Sequence, residues 1–189
     1  MKPTSKAMVL AIVVWAFASV SFGQSENSIN PTGIVIHHSA LTAADFAKFP
    51  GPTDATVIDH LHESRGFSVL CDGHLYHIGY HYVILPDGTV QSGRPERCLG
   101  AHTLGYNNAL GICLIGNFST VANPEGRLGI IRPTKAQIHS LVVLVNDLKT
   151  KYLIPCARIQ RHQDLKIGTL CPGDRFPWSY VQAQIGCEN

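Results

Sequence analysis

Gly33-Ile34-Val35-Ile36-His37-His38-Ser39 is the stretch on which the fold turns. Three β-branched or long aliphatic side chains in succession, with no polar alternation, predict a strand buried on both faces, as in a sheet covered by helices. The run closes on two imidazoles. A polar ring at the end of an apolar strand costs free energy unless something pairs with it, so His37 needs a partner.

Working outward, Thr53 or Asp54 is placed to cap a short amphipathic helix in which Val57, Ile58 and Leu61 share one face, and Gly66 stops it. Tyr80 to Leu85 and Thr89 to Ser92 flank Pro86-Asp87-Gly88, a turn tripeptide that joins two strands as a hairpin. Leu110 to Ile115 reads as a second buried strand. Thr134 with Gln137 three residues on forms a capping box, and Ile138, Leu141, Val142, Val145, Leu148 and Tyr152 then repeat at helical spacing up to Pro155. Arg158 to Arg161 makes a last strand, and a helical turn begins near Trp178. Strands and helices interleave throughout. The expected architecture is therefore α/β, a single domain with a central mixed β-sheet flanked by helices and the site in a cleft at strand ends.

Bulk composition agrees with one globular domain: 189 residues, 45% hydrophobic and 15% charged. Lys2 and Lys6 precede an apolar run from Ala7 to Val20, followed by Ser21-Phe22-Gly23. This is the pattern of a secretory signal peptide over residues 1–23, leaving a mature domain over 24–189. The run is shorter than the roughly 20 apolar residues that span a bilayer, so no stable membrane insertion is expected after cleavage. No cysteine follows closely enough for an acylated amino terminus. Removing Lys2 and Lys6 from a formal charge of +2 leaves the mature chain neutral. Without a block of Lys or Arg it has no means of tracking a phosphate backbone, and nucleic acid is not an expected partner. A secreted or periplasmic monomer is the expectation. In such a setting six cysteines would normally pair as three disulfides.

Ten histidines supply candidates for a metal. A catalytic zinc site takes three protein ligands from His, Cys and carboxylate and keeps a fourth position open. His37 ends the first strand, His162 follows the last one, and Cys171 lies nine residues beyond it on a loop that could fold back. On spacing alone, three independent structural residues are the better reading, since His and Cys far apart in sequence are more often that than a ligand set.

Five segments stand in order along the chain: Ile34 to Ser39; Gly79-Tyr80-His81-Tyr82-Val83-Ile84 with Asp87-Gly88-Thr89-Val90; Gly93-Arg94-Pro95; Gly100 to Asn108 with Gly111 to Phe118; and Arg161-His162-Gln163-Asp164 with Thr169-Leu170-Cys171-Pro172-Gly173. They resemble the zinc-dependent N-acetylmuramoyl-L-alanine amidase family, which includes phage amidase lysozymes and animal peptidoglycan recognition proteins. Together they cover most of the chain from Gly33 to about Tyr180. The resemblance implies a Zn2+ ion on His37, His162 and Cys171, a catalytic Tyr80, and Thr169 beside the reacting carbonyl. It implies peptidoglycan or muropeptides as substrate, cut at the amide between N-acetylmuramic acid and L-alanine. Members of an intracellular recycling branch use a Glu on the strand that here reads Gly111 to Gly116, where this chain has none, which leaves Tyr80 in that role.

The remaining histidines read differently. His38 must point to the sheet face opposite His37 and is expected to be a hydrogen-bonded structural residue. His102 and Asn107 shape the cleft rather than bind zinc. His60 and His62 are read as solvated surface, since positions two apart diverge on a helix. His74, His77 and His81 are not expected to form a second metal site.

The chain also departs from the family. Ser68 to Ile78 is a cysteine-containing insertion between the helix and the Gly-Tyr segment, and His162 and Cys171 stand one residue further apart than in the phage and animal members. Pro95-Glu96-Arg97 matches neither pattern by which animal members separate diaminopimelate from lysine peptides, so peptide preference stays open. With Cys171 assigned to zinc and Cys113 inside an apolar strand, four cysteines remain. Cys71 with Cys98 and Cys156 with Cys187 is the expected arrangement among three possible pairings. A recognition module that binds peptidoglycan without cutting it is the alternative function; the intact Cys171 favours catalysis.

Overall fold

The computed structural model describes residues 27–188, and the leader expected over residues 1–23 lies outside them. In chain order the elements are β1 (Ile34–His38), α1 (Ala43–Lys48), α2 (Asp54–Ser64), β2 (Val69–Cys71), β3 (His74–Tyr76), β4 (Tyr82–Ile84), β5 (Val90–Ser92), β6 (Leu110–Leu114), α3 (Lys135–Tyr152), β7 (Ile159–Arg161), α4 (His162–Leu165) and α5 (Trp178–Gln184). Among the described residues no helix is long and apolar enough to cross a membrane.

Five strands form one mixed sheet in the order β5-β4-β6-β1-β7. β6 lies at its centre, with β1 and β4 parallel to it on either side, and β7 runs parallel to β1 at the edge. Only the β4–β5 hairpin is antiparallel. All five residues of β1 and all five of β6 are buried, as the unbroken apolar runs required.

Strand alternation assigns the two faces. Ile34, Ile36, Leu110, Ile112, Leu114 and Ile84 pack with Ile138, Leu141, Val145 and Leu148 of α3 and Val181 of α5. On the other face Val83 and Ile115 meet Ile58 and Leu61 of α2. The helix ends are closed by their own side chains. Thr53 accepts from the Thr56 amide, and Thr134 and Gln137 form the expected reciprocal box. Gly66, at φ +79°, terminates the turn after α2.

α1 was not anticipated from the sequence, although Thr42 and Asp45 make a complete capping box in front of it. The insertion also has a structure of its own. β2 and β3 pair antiparallel across Asp72-Gly73, both at positive φ (50° and 75°), with Leu70 opposite Leu75. Disulfides join Cys71 to Cys98 and Cys156 to Cys187, while Cys113 and Cys171 are free and buried.

Candidate metal centre

Parallel strands end together, and the site follows from that. Ile36 of β1 is level with Arg161 of β7, so His37 and the next residue along, His162, come side by side, with ring centroids 4.6 Å apart. The loop after α4 then returns to the sheet, where the Gln163 amide donates to the Cys171 carbonyl at 2.8 Å. The ligand-type atoms of His37, His162 and Cys171 all lie within 4.8 Å of one another. The extra residue between His162 and Cys171 is absorbed by the loop without separating them.

Three observations fit this trio to a cation. His37 Nδ1 stands 3.6 Å from Cys171 Sγ, and ligands at about 2.05 and 2.3 Å around one tetrahedral zinc are about 3.6 Å apart. His162 Nε2 is buried with no hydrogen-bond partner. Burial pushes the Cys171 thiol up to about 12, with the His38 backbone N–H, 3.3 Å from the sulfur, pulling the other way. A thiolate there calls for positive charge beside it. Burial, reinforced by His102, His162 and His38, also holds His37 well below its ordinary range, and burial with Lys166 lowers His162. Both imidazoles are thereby kept neutral, the form that ligates.

Tyr80 lies against His37, with ring centroids 5.1 Å apart. Burial and the neighbouring Cys113 and Cys171 thiols raise its phenol well above the usual value. The group therefore acts as a proton-bearing donor. Thr169 is half-buried, and its hydroxyl accepts the Cys171 amide at 3.3 Å, which ties it to the ligand loop.

His38 does face the other way, where its Nδ1 accepts the Phe118 amide at 3.1 Å. His62 corrects the surface reading. It is only 6% exposed, accepts the Gly79 amide at 2.9 Å and has its ring 5.5 Å from that of Tyr80. Position 62 is four residues after Ile58 and one after Leu61, which places it on the buried stripe of α2. His60 is half-buried, with its Nδ1 3.0 Å from the Pro50 carbonyl. His74 is exposed, His77 meets the Phe67 carbonyl, and His81 is buried between the Cys98 carbonyl and the Gly111 amide.

Beside the trio opens a cleft of about 410 Å³ lined by Arg65, Phe67, Tyr80, His102, Leu104 and Lys166 among others. The sequence reading had not singled out Arg65 or Lys166; both bring positive charge to the cleft. A larger groove of about 610 Å³ runs between α3 and α5 and contains none of the clustered residues, so its size says nothing about the chemistry.

Comparison with known proteins bears on what this geometry is for. Residues 27–174 match the family model described as N-acetylmuramoyl-L-alanine amidase. The endolysin of Klebsiella phage KP32 is 40% identical over 76 residues, 40% of this chain and 47% of that protein, so the match spans about half the relative's length. Among solved structures, the endolysin amidase LysCS of Clostridium intestinale URNW superposes with a TM-score of 0.64 at 34% identity, covering 85% of this chain and 86% of the other. Drosophila PGRP-LB gives 0.60 at 25% identity, with 84% of each chain covered.

Proposed function

The chain belongs to the N-acetylmuramoyl-L-alanine amidase family, and from that premise we propose that it is a zinc-dependent hydrolase cutting the amide between N-acetylmuramic acid and L-alanine in peptidoglycan or muropeptides. The observation that carries the proposal is the 3.6 Å approach of His37 Nδ1 to Cys171 Sγ beside the unpartnered His162 Nε2. Three donors of these types, with no fourth ligand in the cluster among the described residues, make an open site rather than a closed structural one.

A zinc ion held there supplies a Lewis acid and lowers the pKa of water to about 7, which provides a nucleophile at neutral pH. The chain's own groups do the rest. His37, His162 and Cys171 fix the place where the scissile carbonyl must lie. Tyr80, protonated and with its ring 5.1 Å from that of His37, donates a hydrogen bond to the oxyanion as the carbonyl carbon becomes tetrahedral; one donor of this kind contributes about 3 kcal/mol. Thr169, anchored to the ligand loop, presents its hydroxyl beside that carbonyl. Arg65 and Lys166 offer the cleft positive charge towards an acidic stem peptide.

The proposal extends to place and state: a signal peptide over residues 1–23, a mature secreted or periplasmic domain over 24–189, and a monomer. Two disulfides support an oxidising compartment.

Incubating the purified mature protein with peptidoglycan and identifying the new ends tests the reaction. Free stem peptides beginning at L-alanine, with intact sugar strands, are expected. Retention on peptidoglycan with no new ends would establish a recognition module instead, and new reducing sugar ends would indicate a glycosidase.

A further inference from the structure

His102 contributes no ligand atom, yet it is held more tightly than a cleft-lining residue requires. It lies in the segment leading into β6, and its ring stands edge-on to that of His37, with centroids 5.0 Å apart at 80°. A Cβ on Gly100 would come within 2.6 Å of the His102 ring and one on Gly111 within 2.5 Å, so two glycines form the slot that receives it. Asn107 Oδ1 fixes the backbone by accepting the amides of His102 and Thr103, each at 2.9 Å.

The hydrogen bonds of that ring determine a tautomer. His102 Nε2 is 2.9 Å from the Ala109 carbonyl oxygen. A carbonyl only accepts, so Nε2 carries the proton, and a neutral imidazole then has a bare Nδ1. That Nδ1 lies 3.1 Å from His37 Nε2. The hydrogen between them belongs to His37, which leaves His37 Nδ1 with a free lone pair, directed at Cys171 Sγ 3.6 Å away. The Thr103 hydroxyl, 3.1 Å from His102 Nδ1 and 3.5 Å from His37 Nε2, can donate to the first or accept from the second, and neither role moves a proton onto His102 Nδ1.

We propose that His102 is a positioning residue: a relay from the Ala109 carbonyl through His102 selects the tautomer and orientation in which His37 can ligate metal through Nδ1. The inference rests on the zinc reading above, and it explains why the Gly100-Ala101-His102 segment meets Gly111 with no room to spare. Outer partners of ligating imidazoles commonly govern metal affinity in this way.

The wild-type protein allows the first test without any substitution. In the metal-stripped, ¹⁵N-labelled protein, long-range proton–nitrogen correlations are expected to show His37 and His102 both protonated at Nε2. A His37 protonated at Nδ1 would overturn the proposal. Zinc affinity, measured by competition with a chelator, supplies the second. His102→Gln keeps a donor towards Ala109 but loses the acceptor at the Nδ1 position, and its affinity should fall about 10- to 100-fold. His102→Asn keeps the acceptor and should recover part of that loss. Wild-type zinc uptake together with an unchanged affinity in His102→Gln sinks this inference alone. A wild-type protein that takes up no zinc sinks the metal reading and this inference with it.

Discussion

β1 and the β2–β3 hairpin are both short strands that lead to functional ground, and they are held by different forces. Every residue of β1 is buried between two layers of helix, and its two parallel neighbours fix the register that brings His37 to His162. The hairpin pairs only three residues a side, and its cross-strand pair Leu70 and Leu75 is 58% and 50% exposed. Pins replace a core there: the Cys71–Cys98 disulfide, the Arg97–Asp72 ion pair and the Asn27 side-chain amide on the Leu70 carbonyl at 2.7 Å. One region is fixed by what it buries and the other by what it is tied to. Substitutions should separate them.

The largest effect is expected in the sheet. Ile36→Ala removes a fully buried side chain from the core between the sheet and α3 and should cost about 2–5 kcal/mol in urea unfolding. A loss below 1 kcal/mol would mean that the sheet does not carry the fold. Opening the strap comes next. Cys71→Ser with Cys98→Ser frees a loop of separation 27, worth about 3.5 kcal/mol by loop-closure entropy, and it should loosen the hairpin's amide exchange while leaving that of β1 and β6 slow.

His81 joins the two regions, since its ring takes the Gly111 amide of β6 and gives to the carbonyl of Cys98. Burial holds this imidazole down at about 4, whereas in the unfolded chain it takes a proton near 6.5. Between those values the unfolded state binds more protons, so stability falls with falling pH. The contribution is complete above about 6.5, and about 2 kcal/mol of it is lost by pH 5. Unfolding curves at pH 7.5 and pH 5 check the sign; equal midpoints would show that the ring is not buried neutral. Smallest of all, Leu70→Ser and Leu75→Ser should each stay within about 0.5 kcal/mol of wild type.

The same contrast explains what could be read from the sequence. β1, β6 and α3 were legible because burial on both faces and a capping box leave continuous local patterns, and the faces of His37 and His38 followed from alternation alone. The hairpin was not recognised, although Asp72-Gly73 between Val69-Leu70 and Leu75-Tyr76 is a strong two-residue turn signal; its exposed leucines lack the alternation that marks a half-buried strand. α1 buries no residue and so left no apolar period. The divergence of His60 and His62 on the helix hides that His62 shares the buried stripe of Ile58 and Leu61. The trio itself required the family resemblance. Spacing along the chain does not say that β7 lies beside β1, and only that neighbourhood brings His162 and Cys171 to His37.

Whether His37, His162 and Cys171 hold one catalytic zinc is decided by a stoichiometric titration. Zinc is added back to chelator-stripped protein while amide cleavage of peptidoglycan is followed, with Cys171→Ala alongside. Activity is expected to rise in proportion to zinc and level off at one ion per chain, with the variant flat throughout. Full activity in the stripped protein, or zinc binding in Cys171→Ala equal to wild type, would contradict it.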